Sequence, residues 1–147
     1  MSYTTSDLPI ILETVYPASM QAVWSALTDH KEMLLWYFDN IPAFKAEVGF
    51  TTQFLIENEG RKFTHSWIVQ EVEAGKRIKY GWTFSEYPGN SYTDFELSEE
   101  GEKVRLKLTV VVEEDFPTDI PEFQRESGIA GWTYFLEERL KAYLEKK

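Results

Sequence analysis

The spacing of apolar residues switches along this chain from alternating to helical, back to alternating, and to helical once more. Ile10 to Val15 reads as a first strand, stopped by Pro17, which cannot donate to a ladder. Met20, Val23, Trp24 and Leu27 then recur at i, i+3, i+4 and i+7, one apolar face of a short helix. Asp29 with Glu32 three positions on has the form of a capping box. It predicts a second helix whose Leu34, Leu35 and Trp36 run into Tyr37 and Phe38.

From residue 50 the period is two. Phe50, Thr52, Phe54 and Ile56 oppose Thr51, Gln53 and Leu55, and Asn58-Glu59-Gly60 supplies turn residues for a hairpin into a partner strand from Phe63 to Val72. After a turn at Glu73 to Lys76, Ile78, Tyr80, Trp82 and Phe84 face one way and Lys79, Gly81, Thr83 and Ser85 the other. Tyr87-Pro88-Gly89-Asn90 turns the chain again. Thr93, Phe95 and Leu97 form the inward face of the next strand. Glu99-Glu100-Gly101 leads into Val104, Leu106, Leu108, Val110 and Val112, the strand expected to be longest.

Asp119 and Glu122 repeat the capping pattern with Pro121 in the first turn, and predict a helix of roughly 25 residues to the carboxyl end. Its apolar stripe is Ile129, Trp132, Leu136, Leu140 and Tyr143 or Leu144; Lys141, Lys146 and Lys147 sit where cations suit the dipole. The elements make an α+β chain of about six or seven strands, whose curved antiparallel sheet must close on the last helix to bury its apolar face. A single domain is expected over residues 1–147, with 1–8 a flexible lead-in.

Composition narrows the function classes. With 147 residues, 43% of them hydrophobic, the chain can bury a sizeable core. A formal charge of −10 argues against an electrostatic grip on nucleic acid or an anionic membrane, since Lys76, Arg77 and Lys79 do not make a basic stripe. Without cysteine there are no disulfides, thiolate chemistry or Cys-ligated metals. No apolar run reaches about 18 residues, so no membrane span is expected, and the expected setting is cytoplasmic.

Candidate chemistry is sparse. His30 falls in the turn between the short helices, a solvated position. His65 lies in the Phe63 to Val72 strand: it is a polar group in an aromatic pocket if Phe63, His65, Trp67 and Val69 face the helix, and exposed if the even positions do. A one-residue bulge near Gln70 to Val72 would allow Val69 and Val72 both to be buried. Two separated histidines do not form a zinc ligand set, and Glu99-Glu100-Glu102 and Glu113-Glu114-Asp115 read as solvated charge rather than paired catalytic carboxylates. No nucleotide motif, catalytic set, metal site or cofactor is read from the sequence.

Two features stand out. Gly128 and Gly131 lie inside the predicted helix, each costing about 1 kcal/mol relative to alanine. They mark a kink or an approach to a neighbour or cavity, or else close packing over a bulky sheet residue such as Trp82. Aromatic residues make up 16% of the chain. Trp36, Phe38, Phe50, Phe54, Trp67, Tyr80, Trp82, Phe84, Phe95, Trp132 and Phe135, with His65 and Gly128, are the candidates to line one apolar space. The alternative is that the rings fill the interior themselves.

Pro17 to Asp29, Trp36, Val48-Gly49-Phe50, Glu71-Val72 with Lys76-Arg77-Ile78 and Tyr80-Gly81-Trp82, Thr93 to Leu97, Arg105 to Thr109, and Gly131-Trp132 with Leu140 to Leu144 together carry a resemblance. Their order and spacing resemble the activator of Hsp90 ATPase homologue 1-like family, within the START and Bet v 1-like superfamily. The resemblance implies a helix-grip fold, a curved antiparallel sheet around a long carboxyl-terminal helix with two short helices after the first strand. It also implies three kinds of function, because members of the superfamily bind lipids, hormones or polyketides, cyclise aromatic intermediates, or assist a chaperone. Binding of a small apolar or aromatic ligand is the leading expectation. An aromatase or cyclase would need a residue such as His65, Tyr80 or Tyr92 aimed into the cavity, and a chaperone contact has only the family name behind it.

Overall fold

The computed structural model describes residues 8–146. The expectation of a flexible lead-in thus falls outside the described residues except for Leu8, which is exposed. Strand β1 (Ile10–Tyr16) is followed by helices α1 (Met20–Thr28) and α2 (His30–Trp36). Strands β2 (Thr51–Asn58), β3 (Arg61–Glu73), β4 (Arg77–Phe84), β5 (Asn90–Glu100) and β6 (Lys103–Glu114) come next. They form one six-stranded sheet in the order β1-β6-β5-β4-β3-β2, and every neighbouring pair is antiparallel. Strands β2 to β6 pair in sequence, while β1 crosses to the far side of β6. The two short helices and residues 37–50 carry the chain from one edge of the sheet to the other.

The inward face is the one the alternation marks. Phe54, Phe63, Trp67, Val69, Ile78, Tyr80, Phe95, Leu97 and, in β6, Val104, Leu106, Leu108, Val110 and Val112 are buried. At about 1.5–3 kcal/mol for each large apolar side chain removed from water, this face supplies the sheet's main drive to stay covered. Glu59 (φ 50°) and Gly60 (φ 79°) both adopt left-handed backbone, the pair of conformations a two-residue hairpin turn requires. The odd residues of β3 from Phe63 to Val69 face inward, and the register shifts between Val69 and Glu71, so a bulge sits at Gln70, with Val69 buried and Val72 partly so. This bulged strand has 13 residues against 12 in β6, so β3, not β6, is the longest.

Both expected capping boxes are modified by tertiary contacts. Asp29 does cap α2, accepting from the Lys31 amide, but Glu32 does not reach back. Its carboxylate instead accepts from Ser25 of α1 and from the Tyr143 hydroxyl near the carboxyl end. Asp119 caps nothing. Pro121–Phe123 form a single 3₁₀ turn, Gln124 precedes the helix without a side-chain cap bond, and α3 (Arg125–Thr133) begins six residues later than the sequence pattern suggests. Glu122 is the reason: its carboxylate is held by Arg61 and Asn58 on the β2–β3 hairpin.

From α3 the chain continues as π-helical turns over Tyr134–Leu140 and then as α4 (Lys141–Lys146). Trp132, Leu136, Leu140 and Leu144 are buried, four residues apart each time. In an α-helix each four-residue step overshoots a turn by about 40°. Wider turns closed by i→i+5 bonds absorb that excess and keep all four side chains on the sheet. The Tyr16 hydroxyl donates to the carbonyl of Leu136 within these turns at 2.7 Å, and burial raises this phenol well above its ordinary pKa. Among the described residues, no helix is long and apolar enough to cross a membrane.

Candidate functional site: an aromatic cavity under the carboxyl-terminal helix

A cavity of about 190 Å³ lies between the sheet and the start of α3. Its floor is Trp82 and Phe84 of β4, Ser91 and Thr93 of β5 and Val110 of β6. Its roof is Ser127, Gly128, Gly131, Trp132 and Phe135, and Phe38 closes the side toward α2. The remaining wall comes from the connection after β6: Phe116, Glu122, Phe123 and Gln124. Gly89 (φ +122°) makes that wall possible, because a Cβ there would stand 2.2 Å from a ring carbon of Phe116.

The connection is fastened across the mouth of the sheet. Glu122 accepts from Arg61 Nε at 2.9 Å and Nη2 at 2.8 Å, and from Asn58 Nδ2 at 2.6 Å. The Arg61 bond holds the Glu122 carboxyl below its ordinary pKa, against a smaller opposing effect of partial burial. Phe123 packs on Phe63, Phe84, Tyr87 and Phe116, so an ion pair outside and a ring cluster inside hold the same turn.

Neither helix glycine packs on Trp82. A Cβ at Gly128 would meet Ile10 Cδ1 at 3.4 Å, and one at Gly131 would meet nothing within 4 Å. Both line the cavity, and Gly131 is exposed at its opening. The glycines therefore mark where the helix backbone borders a space.

Toward α2 the interior is packed with rings. Trp36 stacks on Tyr37 with ring centroids 4.6 Å apart, Tyr37 on Trp67 at 5.3 Å, and Trp67 lies 4.8 Å from Tyr80. The hydroxyls of Tyr37 and Tyr80 bond each other at 2.8 Å, and burial raises both phenols far above their ordinary pKa. Of the sequence candidates, Phe38, Trp82, Phe84, Gly128, Trp132 and Phe135 border the cavity. Trp36, Phe50, Phe54, His65, Trp67, Tyr80 and Phe95 do not; they belong to the packed rings and strands beside it.

His65 faces inward as one of its two orientations required, 7% exposed among Phe38, Phe54, Trp82 and Phe84. Burial lowers its pKa to about 4, opposed by its bond to the Phe63 carbonyl at 2.9 Å and by the charge of Glu86. The imidazole is thus neutral near pH 7, yet it does not border the cavity. Tyr92 lies on the opposite face of the sheet with the Lys79 ammonium 4.1 Å from its ring centroid. His30 is not a free solvated residue: it is half-buried, and its Nε2 lies 2.6 Å from the Ile41 carbonyl. Among the described residues, no three His, Asp or Glu side chains cluster to hold a metal ion.

The sequence reading missed Ser91, Thr93, Val110, Phe116, Glu122, Phe123, Gln124 and Ser127 as wall residues. Val110 and Phe123 carried a signal, one in an inward alternation and one as a large apolar residue in a predicted first turn. Phe116 sits in a non-periodic connection and had none.

No curated protein matches the sequence. Among solved structures, protein CV1439 from Chromobacterium violaceum is 25% identical with a TM-score of 0.76, over 93% of this chain and 96% of that one. The Aha1 dimer from Colwellia psychrerythraea is 18% identical at a TM-score of 0.72, over 95% and 97%. DynU16, from the dynemicin biosynthetic locus, is 24% identical at a TM-score of 0.73, and the match spans 95% of this chain but 48% of that one. These likenesses establish the helix-grip fold. The model for the family described as Activator of Hsp90 ATPase homolog 1-like protein matches residues 17–145, and the chain belongs to that family.

Proposed function

We propose that this chain is a single-domain binding protein for a small, largely apolar molecule, seated in the cavity under α3. The observation that carries the reading is the unfilled space of about 190 Å³, walled by Phe38, Trp82, Phe84, Phe116, Phe123, Trp132 and Phe135 in an interior otherwise packed with rings. Interiors normally close such gaps, and here a roof of glycines leaves one open at a cost in helix propensity. Size limits the occupant. Apolar cavities of about 150 Å³ hold benzene, while drug-sized ligands occupy about 300–1,000 Å³. A single ring or a short aliphatic chain fits this volume.

Titration with toluene, indole and naphthalene tests the reading, with Trp82 and Trp132 as the reporters in the wall. Saturable quenching or a shift of tryptophan emission is expected, strongest for the one-ring toluene and weakest for naphthalene, the larger of the two fused-ring probes. The absence of any saturable response in well-folded protein overturns the reading and leaves a surface interaction, such as the chaperone contact in the family's description, as the better account.

A further inference from the structure

Most of the cavity wall is apolar; besides Glu122, Gln124 and Ser127 on the connection and the roof, the floor carries two hydroxyls, Ser91 and Thr93. Thr93 is 1% exposed and borders the cavity, and its hydroxyl has no hydrogen-bond partner among the described residues. Two positions earlier on the same strand face, Ser91 donates its hydroxyl hydrogen to the Trp82 carbonyl at 2.9 Å, which leaves the Ser91 oxygen free to accept. The floor thus presents the Thr93 hydroxyl as an unused donor and the Ser91 oxygen as an unused acceptor, and the Trp82 Nε1–H of the same floor is buried without a partner among the described residues. Two residues along a strand span roughly 7 Å, more than the ~5.6 Å that one oxygen can bridge with two hydrogen bonds, so a single ligand oxygen addresses one of these hydroxyls at a time.

Buried hydroxyls are nearly always paired. With the cavity open beside Gly131, water can reach Thr93; a ligand that fills the space displaces that water and must replace its bond. A hydrocarbon cannot do so. Charge restricts the choice further. Glu122 is the ionised group on the wall, and Arg61 already matches it. A ligand carboxylate or phosphate would meet no cation there, and an ammonium would have to compete with Arg61.

Resting on the binding reading above, we infer that the ligand is a neutral molecule with a ring-sized apolar body and one hydroxyl or carbonyl oxygen, and that Thr93 selects it by donating to that oxygen.

Calorimetric titration of wild type, Thr93→Val and Thr93→Ser with two matched pairs, toluene against p-cresol and ethylbenzene against acetophenone, tests this. Thr93→Val keeps the branched shape and removes the hydroxyl. It is expected to lose about tenfold in affinity for the oxygenated member of a pair while retaining the hydrocarbon, whereas Thr93→Ser keeps the wild-type preference. Loss confined to p-cresol identifies a ligand hydroxyl; loss for acetophenone as well identifies a general acceptor oxygen. If Thr93→Val binds both members in the wild-type ratio, the inference is overturned and the cavity reading stands. If folded wild type binds neither member of either pair, both fall.

Discussion

The two ends of the interior are equally rich in aromatic rings, yet one is packed and the other is not. Toward α2, the sheet residues Trp67 and Tyr80 meet Tyr37 and Phe44 from the connection after the helix, and Trp36 of α2 stacks on Tyr37. Toward α3, Trp82 and Phe84 meet Trp132 and Phe123, but Gly128 and Gly131 stand between those rings on the roof and contribute no side chain. An aromatic count therefore does not distinguish a filled core from a cavity. The volume supplied by the facing element does.

Truncating one tryptophan at each end gives the largest test of this contrast. Trp67 is 2% exposed and surrounded by rings, so Trp67→Ala is expected to cost about 3–5 kcal/mol, the usual loss for a fully enclosed large aromatic. Trp82 is only half-buried and already borders empty space, so Trp82→Ala is expected to cost about 2 kcal/mol, below that range. Urea denaturation of the two variants measures both. Equal losses would mean that the cavity end is as tightly packed in solution as the other.

His65 sits between the two ends and makes their shared boundary sensitive to acid. Its folded pKa, lowered to about 4, lies below the ordinary 6.5, so the unfolded chain binds the proton more readily. The stability this group preserves is complete above about pH 6.5, falls as the pH drops toward 4, and is exhausted below it. The shift corresponds to about 3 kcal/mol across that window. Denaturation midpoints of wild type and His65→Gln at pH 7 and pH 4.5 should separate the effect from the titration of surface carboxylates. The wild type is expected to lose more over the interval, and parallel losses would place the imidazole in contact with water.

The sequence made the sheet legible because each strand has one wet and one dry face, and a period of two survives in the residues themselves. The i+4 run from Trp132 to Leu144 was equally visible. Its π-helical turns were not, because they are set by the sheet surface the stripe must follow and by the Tyr16 hydroxyl that meets the Leu136 carbonyl. Capping patterns around Asp29 and Asp119 misled in part, since Glu32 and Glu122 bond partners more than 60 positions away, Tyr143 and Arg61. The site was legible only by halves. The rings of β4 and the helix could be named, but which of them border space depends on Phe116, Gly89 and the hairpin tip, contacts between segments with no shared periodicity.

The smallest expected effect isolates the roof. Gly131 lies in a helix interior with no neighbour within 4 Å of where a Cβ would stand, so alanine there should fit without strain. By helix propensity and the reduced freedom of the unfolded chain, Gly131→Ala should stabilise the protein by about 0.5–1 kcal/mol. Gly131→Leu should keep much of that gain, because the same open space receives the larger side chain, while occupying the mouth of the cavity. Its toluene affinity is therefore expected to fall while its thermal midpoint rises or holds. Thermal denaturation and toluene titration of both variants check the two halves of the statement. A destabilised Gly131→Ala would show that the glycine is required by packing, as the sheet end near Trp67 would require it, and that the roof is not the open surface the contrast depends on.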